Sequence, residues 1–322
     1  MEKKYFLGID TSNYTTSLAL VSEGRVVANL KAPLPVKEGE CGLRQSDALF
    51  AHVKNIPVLA KALREELGEK RPIAVGVSTR PRNCEGSYMP CFLAGVSVAE
   101  GIAAALGVPL YSFSHQCGHL RAAIYSSGTE KLLGSPFGAF HVSGGTTEML
   151  YVTPWENGFS VEIVGGTKDL NAGQLVDRVG VMLGLRFPCG PALEALASEN
   201  TEKAPRRKVK AEDGFVHLSG VENMAQKLFA DTRNAPLCAD FVLSYIADAI
   251  VAMSLSLREK YGAVLPIVYA GGVMSNRRIQ NEISQKIQNA HFAEPVFSAD
   301  NAAGIALLTE ERYRKENPSS RH

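Results

Sequence analysis

The sequence predicts an α/β protein made of two halves of one design, and three observations carry that expectation. Near the N-terminus a short apolar strand, a turn of small polar residues and two more strands follow one another, and the same order returns after residue 136. Helical patterns alternate with apolar strand-like runs around both sets, as in α/β domains. A repeated pattern of this length reads as a duplication, giving two facing lobes, and 322 residues are enough for two cores.

The elements follow in order. Tyr5-Phe6-Leu7-Gly8-Ile9 is a strand ending at Asp10. Thr11-Ser12-Asn13 turns into the strand Thr16–Val21, and Glu23-Gly24 marks a tight hairpin before Arg25–Ala28. Leu43–Leu67 is helical and carries His52, Ile73–Ser78 is a strand, and Cys91–Leu106 is an apolar helix. Val108–Phe113 is a strand that leads into a helix capped by Ser114. The second set comprises Phe137–Val142, the turn Ser143-Gly144-Gly145-Thr146-Thr147, Glu148–Val152 and Ser160–Val164. Helices are expected at Asn171–Leu185, Pro191–Ser198, from Pro236 to about Lys260, and Asn276–Gln288. Leu265–Ala270 and His291–Phe297 read as strands, and Asp300 as the opening of the last helix.

Composition narrows the class. Apolar residues are 45%, charged residues 21% and net charge +1, so a soluble globular protein without a broad basic surface is expected. The N-terminal Met1-Glu2-Lys3-Lys4-Tyr5 lacks a signal-peptide apolar region. Six scattered cysteines without a CxxC pair suit a reducing compartment. The expectation is a cytoplasmic chain with no membrane partner.

His115 and His119 stand four apart, so both imidazoles leave one helical face and can share a zinc or iron ion. Two unrelated histidines have the same spacing by chance. A zincin peptidase needs a glutamate after the first histidine, and Gln116 occupies that place. Ser143-Gly144-Gly145-Thr146 and Ala270-Gly271-Gly272-Val273 are glycine turns after strands, where phosphate oxygens can approach backbone amides. Asp177 can accept from ribose hydroxyls or be a solvated helix carboxylate. Asn276 can contact a nucleoside or cap a helix, and Asp300 can be a third metal ligand or a helix cap.

Ser114–His119, Val142–Thr147, Ala172–Arg178, Ala270–Asn276 and Ser298–Ala303 occur in this order over almost the whole chain. The set resembles the tRNA threonylcarbamoyladenosine synthase family (TsaD type), formerly called O-sialoglycoprotein endopeptidases. The resemblance implies a duplicated actin-like, hexokinase-like ATPase fold (ASKHA) with its active site between the lobes. Residues 1–128 with 299–322 would form an N-terminal lobe with the metal site, and 129–298 a C-terminal lobe with the nucleotide site. One divalent metal, iron or zinc, would be held by His115, His119 and Asp300. An adenine nucleotide (threonylcarbamoyl-AMP, ATP or AMP) would be held by His141, Val142, Ser143, Gly144, Gly145, Asp177, Gly190 and Asn276. Asp10 would be catalytic. The implied partners are tRNA and TsaB-like and TsaE-like proteins, and the implied reaction is threonylcarbamoyl transfer to N6 of the adenosine next to the anticodon.

The chain also departs from the family. Asn13-Tyr14-Thr15 replaces acidic residues of the first turn, and Arg80–Ser87 replaces a Gly-Pro-Gly loop. Cys189-Gly190 replaces a glycine pair. These departures keep open a paralogue acting as a carbamoyl-type transferase on another acceptor, or a weakened scaffold of the tRNA-modification complex. The one dense basic run, Lys203–Lys210, is either a solvated loop or a tRNA phosphate contact.

Overall fold

The computed structural model describes residues 3–12, 14–35, 43–156 and 158–318. Asn13 and Cys41 lie outside the described residues. The chain forms two compact units, one of Met1–Tyr125, Trp155–Ser160 and Ala299–His322, the other of Ser126–Pro154 and Val161–Ser298. The sequence reading drew its boundary at 128; here residues 126–128 fall in the second unit and 155–160 in the first.

In the first unit β1 (Tyr5–Ser12), β2 (Thr15–Ser22) and β3 (Arg25–Pro33) form an antiparallel meander. Glu23 and Gly24 both take positive φ, 55° and 71°, as a tight two-residue hairpin turn requires. After α1 (Gln45–Leu67) come β4 (Pro72–Arg80), α2 (Phe92–Leu106), β5 (Leu110–Ser114) and α3 (His115–Ser126). The sheet order is β3-β2-β1-β4-β5, with β4 and β5 parallel to β1. Side chains alternate across the sheet. Leu7, Ile9, Leu18 and Leu20 face one way and pack with Leu59, Leu63 and Ala99 of α1 and α2. Phe6, Gly8 and Asp10 face the other way.

The second unit repeats the plan with β6 (Phe137–Val142), β7 (Thr147–Trp155) and β8 (Gly158–Thr167), then α4 (Ala172–Met182) and α5 (Gly190–Ser198). Next come β9 (Phe215–Val216), α6 (Ser219–Thr232), α7 (Ala235–Tyr261), β10 (Ile267–Ala270), α8 (Arg277–Lys286), β11 (Ala290–Phe292) and the short α9 (Pro295–Ser298). The strand order β11-β10-β6-β7-β8-β9 contains the first sheet's order, read in reverse, with β9 added at one edge. The helix α7 is long and apolar enough to cross a membrane by composition, yet 83% of that stretch is buried. It is the core helix of this unit, with Phe241, Ile246, Ile250 and Met253 inside.

The last helix, α10 (Ala303–Glu316), returns to the first unit and covers the Phe6–Asp10 face. Gly8 makes this possible, because a Cβ there would stand 2.5 Å from the Ala302 carbonyl oxygen. Two expectations are corrected. Asp300 does not open α10; Asn301 Oδ1 accepts from the Ala303 amide at 3.1 Å, leaving the Asp300 carboxylate for other partners. The predicted strand His291–Phe297 is short, because Pro295 starts a helical turn.

Candidate metal and nucleotide sites

The candidate metal site is assembled within the first unit. The strands β1, β4 and β5 run parallel, so their carboxyl ends share one edge, where α/β sheets bind ligands. At the end of β5, Ser114 Oγ accepts from the Cys117 amide at 3.3 Å and starts α3. One turn of helix then sets His115 and His119 side by side, with ring centroids 4.3 Å apart. Asp300 reaches them from the segment before α10. Its Oδ1 lies 3.1 Å from His119 Nε2 and 3.5 Å from His115 Nε2. One ligand atom from each of the three residues falls within 4.8 Å of the others. The side chains are 19%, 14% and 23% exposed for His115, His119 and Asp300, so the cluster is enclosed but reachable.

Asp10, expected as a catalytic carboxylate, is fully buried behind this cluster. Its Oδ2 is 2.8 Å from His115 Nδ1, and its Oδ1 accepts from the Ser12 amide at 2.9 Å. It therefore fixes the His115 ring and directs Nε2 towards His119 and Asp300. A carboxylate behind a ligating imidazole is the usual support of a metal site. Two imidazole nitrogens and one carboxylate oxygen suit zinc or ferrous iron, so the residues fit such an ion.

The electrostatics follow from burial against charge. Burial would push the His115 imidazole down, but the Asp10 and Asp300 carboxylates outweigh it and hold the pKa at about 10. Burial likewise opposes ionisation of Asp300, but bonds from His115 and His119 hold its carboxyl well below the usual range. Asp10 is lowered in the same way, its burial overcome by His115 and the Ser12 amide.

The second unit gathers the expected nucleotide residues at one end of its sheet. Ala270 and His141 are paired neighbours at the ends of β10 and β6. The turn after β6 closes with the Ser143 amide donating to the Thr146 carbonyl at 2.8 Å. Gly144 and Gly145 are exposed, with open space where a side chain would stand. A chain of bonds links the surrounding helices. The Gly173 amide of α4 donates to Ser143 O at 3.2 Å, and Asp177 Oδ1 accepts from the Cys189 amide, just before Gly190 and α5, at 2.8 Å. Glu194 of α5 accepts from the Arg277 amide of α8 at 2.7 Å. Asn276 caps α8, its Oδ1 accepting from the Ile279 amide at 3.0 Å. A groove of about 420 Å³ opens beside Asp177, with Val181 and Phe187 in its wall.

One part of this arrangement escaped the sequence reading: the supporting position of Asp10, which needed the pairing of β1 and β5 with a common neighbour. The structure also places the basic run. Arg206 pairs with Glu282 at 2.7 Å and with Asp248 at 3.0 Å, its own side chain 42% exposed, and Lys203, Arg207, Lys208 and Lys210 are exposed as well.

Solved structures share this architecture. Full-length HypF in its phosphate- and nucleotide-bound form matches with a TM-score of 0.60 at 12% identity, over 98% of this chain and 47% of HypF. A ROK family glucokinase from Streptomyces griseus in complex with glucose and AMPPNP matches with a TM-score of 0.51 at 12% identity, over 96% of this chain and 99% of that one. The duplicated sheets and these neighbours define an actin-like, hexokinase-like ATPase fold of the ASKHA class.

Sequence relatives are narrower. Residues 39–307 match the family described as TsaD, tRNA N6-adenosine threonylcarbamoyltransferase. A protein of that name from Thermus thermophilus is 32% identical over 325 residues, 99% of this chain and 95% of the relative. One from Streptococcus suis is 29% identical over 98% of this chain and 95% of its own length. The chain belongs to the TsaD family, a family of acyl-transferring enzymes.

Proposed function

We propose that this chain transfers the threonylcarbamoyl group of threonylcarbamoyl-adenylate to N6 of the tRNA adenosine next to the anticodon, in a metal-dependent reaction. The convergence of His115, His119 and Asp300, with Asp10 behind His115, is the observation that carries the reading. His115 Nε2, His119 Nε2 and Asp300 Oδ1 would hold one zinc or iron ion. Such an ion, when bound, supplies a Lewis acid for the carbonyl of the acyl group. Asp10 acts through His115 as a positioning residue, since its buried carboxylate is occupied by Nδ1 and the Ser12 amide.

In the second unit Gly144 and Gly145 offer exposed amides to the adenylate phosphate. His141, Val142 and Ser143 frame that turn, and Gly190 leaves room beside Asp177. The Asp177 oxygen not bonded to Cys189 can accept from a ribose hydroxyl, and the Asn276 amide nitrogen can donate to the nucleoside. The N6 amine forms a bond to the carbamoyl carbon, the bond from that carbon to the AMP oxygen breaks, and one proton leaves N6. TsaB-like and TsaE-like proteins would be the partners, and tRNA the acceptor.

The test is reconstitution with threonylcarbamoyl-adenylate, an unmodified ANN-decoding tRNA and the partner proteins. Mass spectrometry of the digested tRNA should find the modified nucleoside. Its absence under every partner combination rejects the reaction. A second reading, a redirected acceptor or a scaffold, is favoured by Tyr14 and Thr15, which put no carboxylate on the first turn. Stoichiometric metal, lost in His115→Ala, separates an enzyme from a scaffold.

A further inference from the structure

The strand beside the metal cluster ends in an arginine. Arg80 is the last residue of β4, and in the register of β4 with β5 it stands opposite Ser114, the residue before His115. One strand spacing, about 4.8 Å, separates the two backbones there. The chain then stays against the start of α3, because the Pro81 carbonyl accepts from the Gln116 amide at 3.0 Å. Backbone pairing on both sides of His115 thus fixes the Arg80-Pro81 corner at the edge of the site.

The guanidinium is held as firmly as the backbone. Its Nη1 donates to Thr79 Oγ1 at 3.2 Å and its Nη2 to Asn83 Oδ1 at 3.0 Å. Both acceptors are anchored in turn. The Thr79 hydroxyl donates to the Phe113 carbonyl at 3.4 Å. The Asn83 amide nitrogen lies 3.2 Å from Cys117 Sγ and 3.4 Å from the Phe159 carbonyl oxygen. Strand β5, helix α3 and the Phe159 segment, all of the first unit, therefore cooperate to orient one half-buried side chain. Every one of these supports is neutral. Among the described residues no carboxylate pairs with Arg80, whereas Arg121, Arg312 and Arg314 of the same unit each hold a glutamate.

A guanidinium carries five N–H donors, and Thr79 and Asn83 occupy two. Partial burial has removed some of its water, and neutral acceptors return little of the Coulomb energy that an anion would supply. Its planar fork matches the oxygens of a carboxylate or a phosphate. Ordering by Thr79 and Asn83 lowers the entropy lost when such a group is gripped.

We propose that Arg80 is an anion-binding residue of the active site, gripping a carboxylate or phosphate oxygen of the acyl donor. This rests on the transferase reading and adds to it a recognition element for the donor. The donor has two such anions, the carboxylate of its amino-acid part and the phosphate of its adenylate part.

Calorimetric titration of the metal-loaded protein decides it. The probes are N-carbamoyl-L-threonine with its neutral carboxamide, and AMP with neutral adenosine. Arg80→Gln should weaken at least one anionic probe about tenfold, the loss expected for one charged hydrogen bond. The neutral counterpart should be unchanged, which shows that the site is still folded. Arg80→Lys keeps the charge without the fork and should recover part of the binding. The anion that responds names the group held. In turnover, KM for threonylcarbamoyl-adenylate should rise while kcat changes much less. Equal weakening of charged and neutral probes, or no weakening of either anion, overturns the assignment and leaves Arg80 as a clamp on its own loop. So does a wild-type protein that binds neither anionic probe. Modification of tRNA with an unchanged KM in Arg80→Gln removes this inference alone. Absence of modified nucleoside under every partner combination removes the transferase reading, while the paired probes still decide the anion site.

Discussion

Gly304 of α10 lies against the main-chain carbonyl of Gly118 in α3, so closely that a methyl group on Gly304 would overlap the oxygen. Gly118 sits directly before His119, and Gly304 is four residues beyond Asp300. The crossing of these helices therefore sets how near the carboxylate comes to the two imidazoles. Gly304→Ala should force α3 and α10 apart and destabilise the fold by about 1–3 kcal/mol, the usual penalty of overpacking. Chemical denaturation measures the loss. Metal titration below the melting temperature should show weakened binding in the folded variant. Unchanged stability and unchanged metal binding together would mean that the crossing does not set the site.

A second prediction isolates Asp10. Asp10→Asn keeps the shape but removes the charge that holds the His115 ring and its Nδ1 proton. Metal affinity should fall about 10–100-fold, as for the loss of other supporting carboxylates. Asp300→Ala and His119→Ala remove ligands and should abolish stoichiometric binding. Competition titration with a chromophoric chelator separates the two grades of loss. An Asp10→Asn variant with native affinity would show that the Asp10–His115 bond does not support the ligand.

Much of this was legible in the sequence. The duplicated strand order could be read because each meander has its own apolar pattern and polar turn. The pairing of His115 with His119 follows from helical spacing alone. The approach of Asp300 could not be derived locally, since about 185 residues separate it from His115 and only the packing of α10 on Gly8 brings it back. The burial of Asp10 behind His115 could not be read, because a sequence shows a residue's type but not its depth. At Asn276 the cap and nucleoside readings proved compatible, because the cap uses Oδ1 alone.

A third prediction concerns protons. In the metal-free protein His115 has its pKa raised from the usual ~6.5 to about 10. A raised folded-state pKa stabilises the fold fully below the unfolded value, and that stability is lost as pH climbs towards the folded value. The stability gap between metal-free wild type and His115→Gln should thus be constant below pH ~6.5 and shrink as pH rises towards 10. Metal ligation needs the neutral imidazole, so uptake near neutral pH should release about one proton from His115. Calorimetry in buffers of different ionisation enthalpy counts that proton. No release at neutral pH would show that the imidazole is already neutral.

The last prediction concerns the basic run. Net charge is only +1, so a tRNA contact needs a local patch, and this run is the dense one. It is a segment without regular secondary structure, held in place at Ala204, which is buried, and at Arg206, which is tied to Asp248 and Glu282. That leaves Lys203, Arg207, Lys208 and Lys210 facing solvent, with Arg207 and Lys208 lining a groove of about 360 Å³. Exposed cations on a fixed segment can meet a phosphate backbone without first losing the entropy of a mobile loop. Changing Arg207, Lys208 and Lys210 together to Glu should weaken tRNA binding and flatten its salt dependence, by about 0.7–0.9 in logarithmic slope for each phosphate that is no longer neutralised. Changing Arg206 to Glu should act differently. It places a third carboxylate beside Asp248 and Glu282, so the melting temperature should fall. Fluorescence anisotropy titrations with tRNA at several salt concentrations, with a thermal melt of each variant, distinguish the effects. If the triple variant keeps wild-type affinity and slope, the tRNA lies elsewhere and the run is a solvated edge of the second unit.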